Sequence, residues 1–144
     1  MVYGCGLILQ LASTFGAIWP AGGKGGVDAA ECTSLSLTDK GIQQISGFDK
    51  FHNLSVLVLS RNKLTKIDNL DTNFRIRTLI AQGNQICTLK GSLVHMRLLQ
   101  QLDLSNNRLR NLQKIAQSLK CFEFLETLNL KGTAFISHCV GGLF

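Results

Sequence analysis

The sequence lacks the residue spacings that most catalytic and metal sites require. No C-x-x-C pair occurs, and no histidine has a serine, cysteine or carboxylate at a spacing that predicts a catalytic triad. The three histidines, His52, His95 and His138, are therefore interpreted as surface or packing residues. We expect no enzymatic activity, no metal site and no cofactor.

Clustered cysteines are missing as well. The five cysteines are scattered along the chain at Cys5, Cys32, Cys87, Cys121 and Cys139. An odd number of scattered cysteines is typical of a reducing compartment with free thiols. We therefore expect an intracellular, cytoplasmic protein, with the cilium, the centrosome and the nucleus as alternative places.

Charged side chains are absent from Met1 to Ala21, and a glycine-rich linker follows at Gly22 to Gly26. An uncharged start is compatible with a signal peptide or a membrane span. However, no Lys or Arg precedes the apolar run, and polar residues and glycines dilute it. The sequence favours a poorly ordered apolar and glycine-rich extension over residues 1–30. A secreted or membrane-attached protein is the remote alternative.

What the sequence does contain is one leucine pattern, repeated along the chain. The template L-x-x-L-x-L-x-x-N-x-L is filled by Leu99, Leu102, Leu104, Asn107 and Leu109, and again over 54–64. Partial copies occur at 35–42, 76–86 and 125–135, where Lys40 and Thr133 replace the asparagine and Ala81 replaces one leucine. The strand leucines recur at Leu35, Leu57, Leu79, Leu102 and Leu128, in steps of 22, 22, 23 and 26 residues. Self-similarity at this period indicates a repeat solenoid.

Each copy of the template predicts a strand, a turn and a returning segment. Two leucines one residue apart place both side chains on one face of a short strand. The asparagines Asn62, Asn84 and Asn107 fit a turn and form a predicted structural ladder. The predicted returning apolar residues are Ile45, Phe48, Phe51, Ile67, Leu70, Phe74, Leu89, Leu93, Met96, Leu112, Ile115, Leu119 and Phe122. The longer fourth repeat predicts a helix over roughly 112–120.

Residues from about Cys32 to Gly132 resemble the leucine-rich repeat family, in its intracellular class with repeats near 22 residues. That class places isoleucine or leucine soon after the asparagine turn, as in N-K-L-T-K-I at 62–67. The family includes a phosphatase regulatory subunit, a spliceosomal scaffold subunit, an axonemal dynein light chain and several ciliary and centrosomal proteins. The resemblance implies an α/β solenoid of about five repeats over 31–135. In such a fold a curved parallel sheet lines the concave side, and short helical or 3₁₀ turns line the convex side.

The resemblance also implies a non-catalytic protein-binding module, such as an adaptor, scaffold or regulatory subunit. Its partner would be another protein, of the phosphatase, cytoskeletal, axonemal or centrosomal kind. The alternative is a spliceosome-like nuclear scaffold that holds an RNA-binding protein. By alternation along the strands, the predicted partner-binding residues of the concave face are Val56, Val58, Ile80, Gln82, Gln101, Asp103 and Asn129.

The net charge of +6 lies mostly on the repeats, where it is interpreted as a solvated surface. The aromatic residues are mostly phenylalanines at core spacing, so direct binding to nucleic acid is not expected, nor is binding to a membrane. After Gly132 the sequence departs from the family. Residues 136–144 are expected to form an atypical tail and an incomplete cap, from truncation or alternative splicing. The alternative is a tail that folds as a minimal cap.

Overall fold

The computed structural model describes residues 29–133. Nearly all of the predicted extension over 1–30, and all of the predicted tail over 136–144, lie outside the described residues. The predictions for these two segments therefore stay predictions. Ala29 and Ala30, the last residues of the predicted extension, begin a 3₁₀ turn at Ala29–Glu31, and Ala29 is buried in the core.

Within residues 29–133, five strands of three residues each form one parallel sheet. They are β1 (Ser34–Ser36), β2 (Val56–Val58), β3 (Thr78–Ile80), β4 (Gln101–Asp103) and β5 (Thr127–Asn129). The order of the strands in the sheet follows their order in the chain. The central leucines pair in one row, Leu35 with Leu57, then Leu79, Leu102 and Leu128. The predicted neighbours therefore lie in adjacent rungs of one coil.

The strands are stable only because they are stacked. A three-residue strand has too few hydrogen bonds and too little apolar surface to form alone. The central leucines of β1 to β4 point into the core, and Leu57, Leu79 and Leu102 of the middle rungs are completely buried. Burying one such side chain contributes about 1.5–3 kcal/mol, so each added rung supports its neighbour.

The segments that return from one strand to the next contain few helices. A 3₁₀ helix covers Ser92–His95, and the helix α1 covers Leu112–Leu119. The side chain of Asn111 caps α1, because its Oδ1 accepts a hydrogen bond from Lys114 N at 3.1 Å. The helix predicted over roughly 112–120 is confirmed.

Two residues of the predicted returning set do not lie in the core. Phe74 is 55% exposed, whereas the preceding residue, Asn73, is buried. The Nδ2 of Asn73 donates to the backbone oxygens of Phe48 and Phe51, both at 3.0 Å. These two carbonyls of the preceding rung also accept from the backbone amides of Phe51 and Leu54, so the asparagine adds a second donor to each. The asparagine therefore takes the inner position, and the phenylalanine lies outside.

Leu112 is the second exception, with 58% of its surface exposed. It is the first residue of α1, and the helical spacing directs Ile115, Leu119 and Phe122 toward the core instead. The prediction of Leu112 as a core residue is wrong because the helix begins with this residue on its outer face.

The asparagine turns connect each rung to the preceding one. The Nδ2 of Asn84 donates to Leu59 O at 2.9 Å and Ala81 O at 3.0 Å, while its Oδ1 accepts from Leu64 N at 3.1 Å. Asn62 and Asn107 make the equivalent contacts in the rungs on either side. One side chain thus satisfies backbone groups of two rungs that the end of each strand would leave unpaired.

A left-handed residue precedes each asparagine position. Asp39, Arg61, Gly83, Asn106 and Gly132 all have φ between 53° and 69°. These residues reverse the chain at the end of each strand, so that the next side chain points back into the turn. Only two of the five are glycines, so the turn is specified by its asparagine more than by glycine.

Candidate functional site

The exposed face of the sheet is formed by the residues that alternate with the buried leucines. The register aligns two rows along this face: Ser34, Val56, Thr78, Gln101 and Thr127, and then Ser36, Val58, Ile80, Asp103 and Asn129. Residues on one row are one rung apart, about 4.8 Å. This surface is the one that the sequence predicts to be concave, and we call it the sheet face.

Three apolar residues lie together on the sheet face. Val58 of β2 pairs directly with Ile80 of β3, and Val56 lies two residues before Val58 on the same side of its strand. All three side chains are half-buried. We call these three residues the apolar patch. Their placement gives a contact surface that a partner's apolar side chain could cover, with loss of ordered water.

A hydrogen-bonded polar cluster lies next to the apolar patch. Asp103 of β4 is beside Ile80, and its Oδ1 accepts from Ser105 N at 2.8 Å and Ser105 Oγ at 2.6 Å. Its Oδ2 accepts from the Nδ2 of Asn129 at 2.9 Å. The carboxylate is therefore held in one orientation, with further acceptor capacity for a donor from a partner.

The remaining predicted contact residues border the patch from two sides. Gln101 lies beside Thr78 and is exposed, and Gln82, which is also exposed, follows Ile80 two residues later. The structure thus brings the predicted residues Val56, Val58, Ile80, Gln82, Gln101, Asp103 and Asn129 onto one surface. Their role in binding a partner stays a prediction.

Two serines just beyond the strands are buried, although alternation along the strands predicts that they point outward on the sheet face. They are Ser60 and Ser105. The amide and hydroxyl of Ser105 both donate to Asp103, which covers this serine. A serine two residues after an aspartate is a local signal for such a turn, so Ser105 could have been identified from the sequence as the residue that orients Asp103.

Groups that could support other chemistry do not form a cluster of three in the described part of the chain. His52 is exposed, and His95 Nε2 lies 3.7 Å from Asp71 Oδ1 with both side chains mostly exposed. Within residues 29–133, no three His, Cys, Asp or Glu residues cluster as metal ligands. His138 lies outside the described residues. None of the helices in residues 29–133 has the length and apolar character needed to cross a bilayer.

The comparison with protein families agrees with the leucine pattern around β4. The family model described as Leucine Rich Repeat matches residues 98–122, which include β4, its asparagine turn and α1. The fold is a leucine-rich repeat solenoid. The predicted α/β class and the number of about five repeats are confirmed by this match and by the five parallel strands in one open sheet. No curated protein matches the chain.

The family match supports the general function of the solenoid but not a particular partner. Leucine-rich repeat domains are typically non-catalytic, and they serve as protein–protein interaction modules. They generally bind other proteins. The family match therefore favours protein binding by this solenoid, but it does not identify the partner.

Proposed function

We propose that this chain is a non-catalytic adaptor, scaffold or regulatory subunit that binds its protein partner on the sheet face of the leucine-rich repeat solenoid. The pairing of Val58 with Ile80 beside the fixed carboxylate of Asp103 carries the proposal. An apolar centre with a polar border is the usual composition of a protein-binding surface.

The sheet is also a suitable scaffold for such a surface. The residues that lie between the apolar side chains of the face, such as Leu57 and Leu79, are completely buried and fix the backbone beneath it. A rigid backbone lowers the conformational entropy that binding has to remove, and it keeps the apolar side chains at a constant spacing. The sheet face can therefore present the same contact surface before and after binding.

The partner classes proposed from the family resemblance are phosphatase, cytoskeletal, axonemal and centrosomal proteins, with an RNA-binding protein in a spliceosome-like scaffold as the alternative. Every one of these partners would occupy the sheet face. We propose an intracellular, cytoplasmic location, which is supported by the free thiols of Cys87 and Cys121 in the described part of the chain.

The test replaces the centre of the apolar patch with charge. Val58→Asp with Ile80→Asp should abolish capture of the partner from cell extract, because two carboxylates would be desolvated on binding beside Asp103. The matched control, His52→Asp with Thr72→Asp, adds the same charge to exposed residues outside the sheet face. The control variant should retain the partner.

The captured proteins distinguish the partner classes, since RNA-binding proteins are readily separated from tubulin, dynein and phosphatase subunits by mass spectrometry. Thermal melting of both variants shows whether each remains folded. If the folded Val58→Asp and Ile80→Asp variant retains its partner, the sheet face is not the binding surface.

A further inference from the structure

The positive charge of the solenoid is concentrated on one side. The chain that follows each asparagine turn runs through residues 41–47, 63–69, 85–91 and 108–114. We call the surface formed by these four stretches the basic flank. It carries six basic side chains and one acidic side chain, whereas the rest of residues 29–133 carries eight basic and seven acidic ones. The flank therefore holds a net +5 of the net +6 in the described residues.

The four stretches form one continuous surface. Lys63 N donates to Ile42 O at 2.8 Å, Gln85 N to Leu64 O at 2.8 Å, and Arg108 N to Ile86 O at 3.0 Å. These bonds align Lys63, Gln85 and Arg108 in one column, and Arg108 Nη1 lies 3.5 Å from Gln85 Oε1. The two basic residues of the column are two rungs apart, about 10 Å.

A polar cleft of about 370 Å³ lies on the basic flank. Its lining includes Lys63, Lys66, Thr65, Asp68 and Gln85. Asp68, the only acid of the flank, is paired with Lys66 through an Nζ–Oδ2 distance of 2.7 Å. No carboxylate within residues 29–133 pairs with Lys63. The cleft therefore combines one uncompensated ammonium with amide and hydroxyl donors.

We propose that the basic flank binds an acidic peptide segment of another protein, at a site separate from the sheet face. Carboxylates are complementary to the ammonium, guanidinium, amide and hydroxyl donors of the flank. Glutamates three residues apart in a peptide with polyproline II conformation lie on one side of it and are separated by about 9 Å, which is close to the spacing of Lys63 and Arg108.

An acidic peptide fits the flank better than a nucleic acid does. The four stretches contain no phenylalanine, tyrosine, tryptophan or histidine. Single-stranded nucleic acid is usually held by stacking its bases on aromatic side chains, and this surface offers none. Exposed ion pairs contribute little one at a time, so binding by the flank depends on several basic residues acting together and weakens with salt.

The experiment measures binding of a fluorescein-labelled glutamate-rich peptide to the full chain at low salt, by fluorescence anisotropy. Lys63→Glu with Arg108→Glu should weaken peptide binding about tenfold or more, since two attractions become repulsions. The control pair, Lys50→Glu with Arg97→Glu, makes the same change of net charge outside the flank and should change the affinity by less than about twofold. An oligothymidine of matched charge serves as the second probe.

Three outcomes would overturn the proposal. They are absence of peptide binding at low salt, equal weakening by the two pairs, and preferential binding of the oligothymidine. If Lys63→Glu with Arg108→Glu does not fold, Lys63→Gln with Arg108→Gln replaces it. The expected loss of peptide affinity is then smaller, but it should still exceed the loss for Lys50→Gln with Arg97→Gln. The variant Val58→Asp with Ile80→Asp should keep its affinity for the peptide, because the sheet face and the flank are separate.

Discussion

The middle rungs and the last rung of the solenoid use the same repeat, yet their side chains are buried to very different degrees. Leu79 of β3 lies between two neighbouring strands and is completely buried. Leu128 of β5 occupies the same position in its repeat and is 37% exposed. A leucine in this fold is buried by the rung that follows it as well as by its own. Stability is thus a property of the interfaces between rungs.

The turns differ in the same way. Asn84 donates to carbonyls of two rungs and accepts from Leu64 N. At the equivalent position of the last repeat, the hydroxyl of Thr133 donates to Leu104 O at 3.0 Å. This bond corresponds to the one that Asn84 donates to Leu59 O in the preceding rung. The threonine keeps the bond to the preceding rung, but it supplies no amide for the second carbonyl.

The largest expected effect comes from shortening equivalent leucines. Leu79→Ala should lower the free energy of unfolding by about 3–4 kcal/mol, because it leaves a cavity between two stacked rungs. Leu128→Ala should lower it by about 1 kcal/mol, because that side chain already contacts solvent. Urea unfolding followed by circular dichroism measures both values. Equal losses for the two variants would show that the last rung is packed as tightly as the middle ones.

A smaller difference is expected between the turn residues. Asn84→Ala should lower the free energy of unfolding by about 2–3 kcal/mol, because it leaves the buried amide of Leu64 without an acceptor and removes one donor each from the carbonyls of Leu59 and Ala81. Thr133→Ala removes one hydrogen bond and should lower it by about 1 kcal/mol or less. Gln82→Ala, which shortens an exposed side chain near the same turn, is the control. If Asn84→Ala is as mild as Gln82→Ala in urea unfolding, the asparagine turns do not hold the rungs together.

Most of the fold could be predicted because its signals are periodic. The strand leucines, the asparagine positions and α1 follow from spacing alone, since every rung repeats the same environment. The exceptions occur where one repeat breaks the pattern. Asn73 is buried at the position where other repeats have Phe51, Met96 or Phe122, and only the carbonyls beside it in space explain why.

The candidate surfaces could be predicted to different extents. Alternation along the strands places Val58, Ile80 and Asp103 on the sheet face, because the register follows from the repeat. The orientation of Asp103 by Asn129 depends on a contact between residues 26 positions apart, so it required the structure. From the sequence alone the basic residues indicate an ordinary solvated surface, because their concentration on the basic flank becomes visible only when the four stretches are stacked.

The most direct test of the stacked rungs is amide hydrogen exchange at one equivalent position of successive repeats. The amides of Leu59, Ala81 and Leu104 each donate to the next rung, at 2.7, 2.8 and 2.9 Å respectively. The amide of Leu130 has no acceptor within residues 29–133. We predict that the three inner amides exchange at least about a hundredfold more slowly than that of Leu130. Similar rates at all four amides would contradict the arrangement of the repeats in one coil with an exposed last rung.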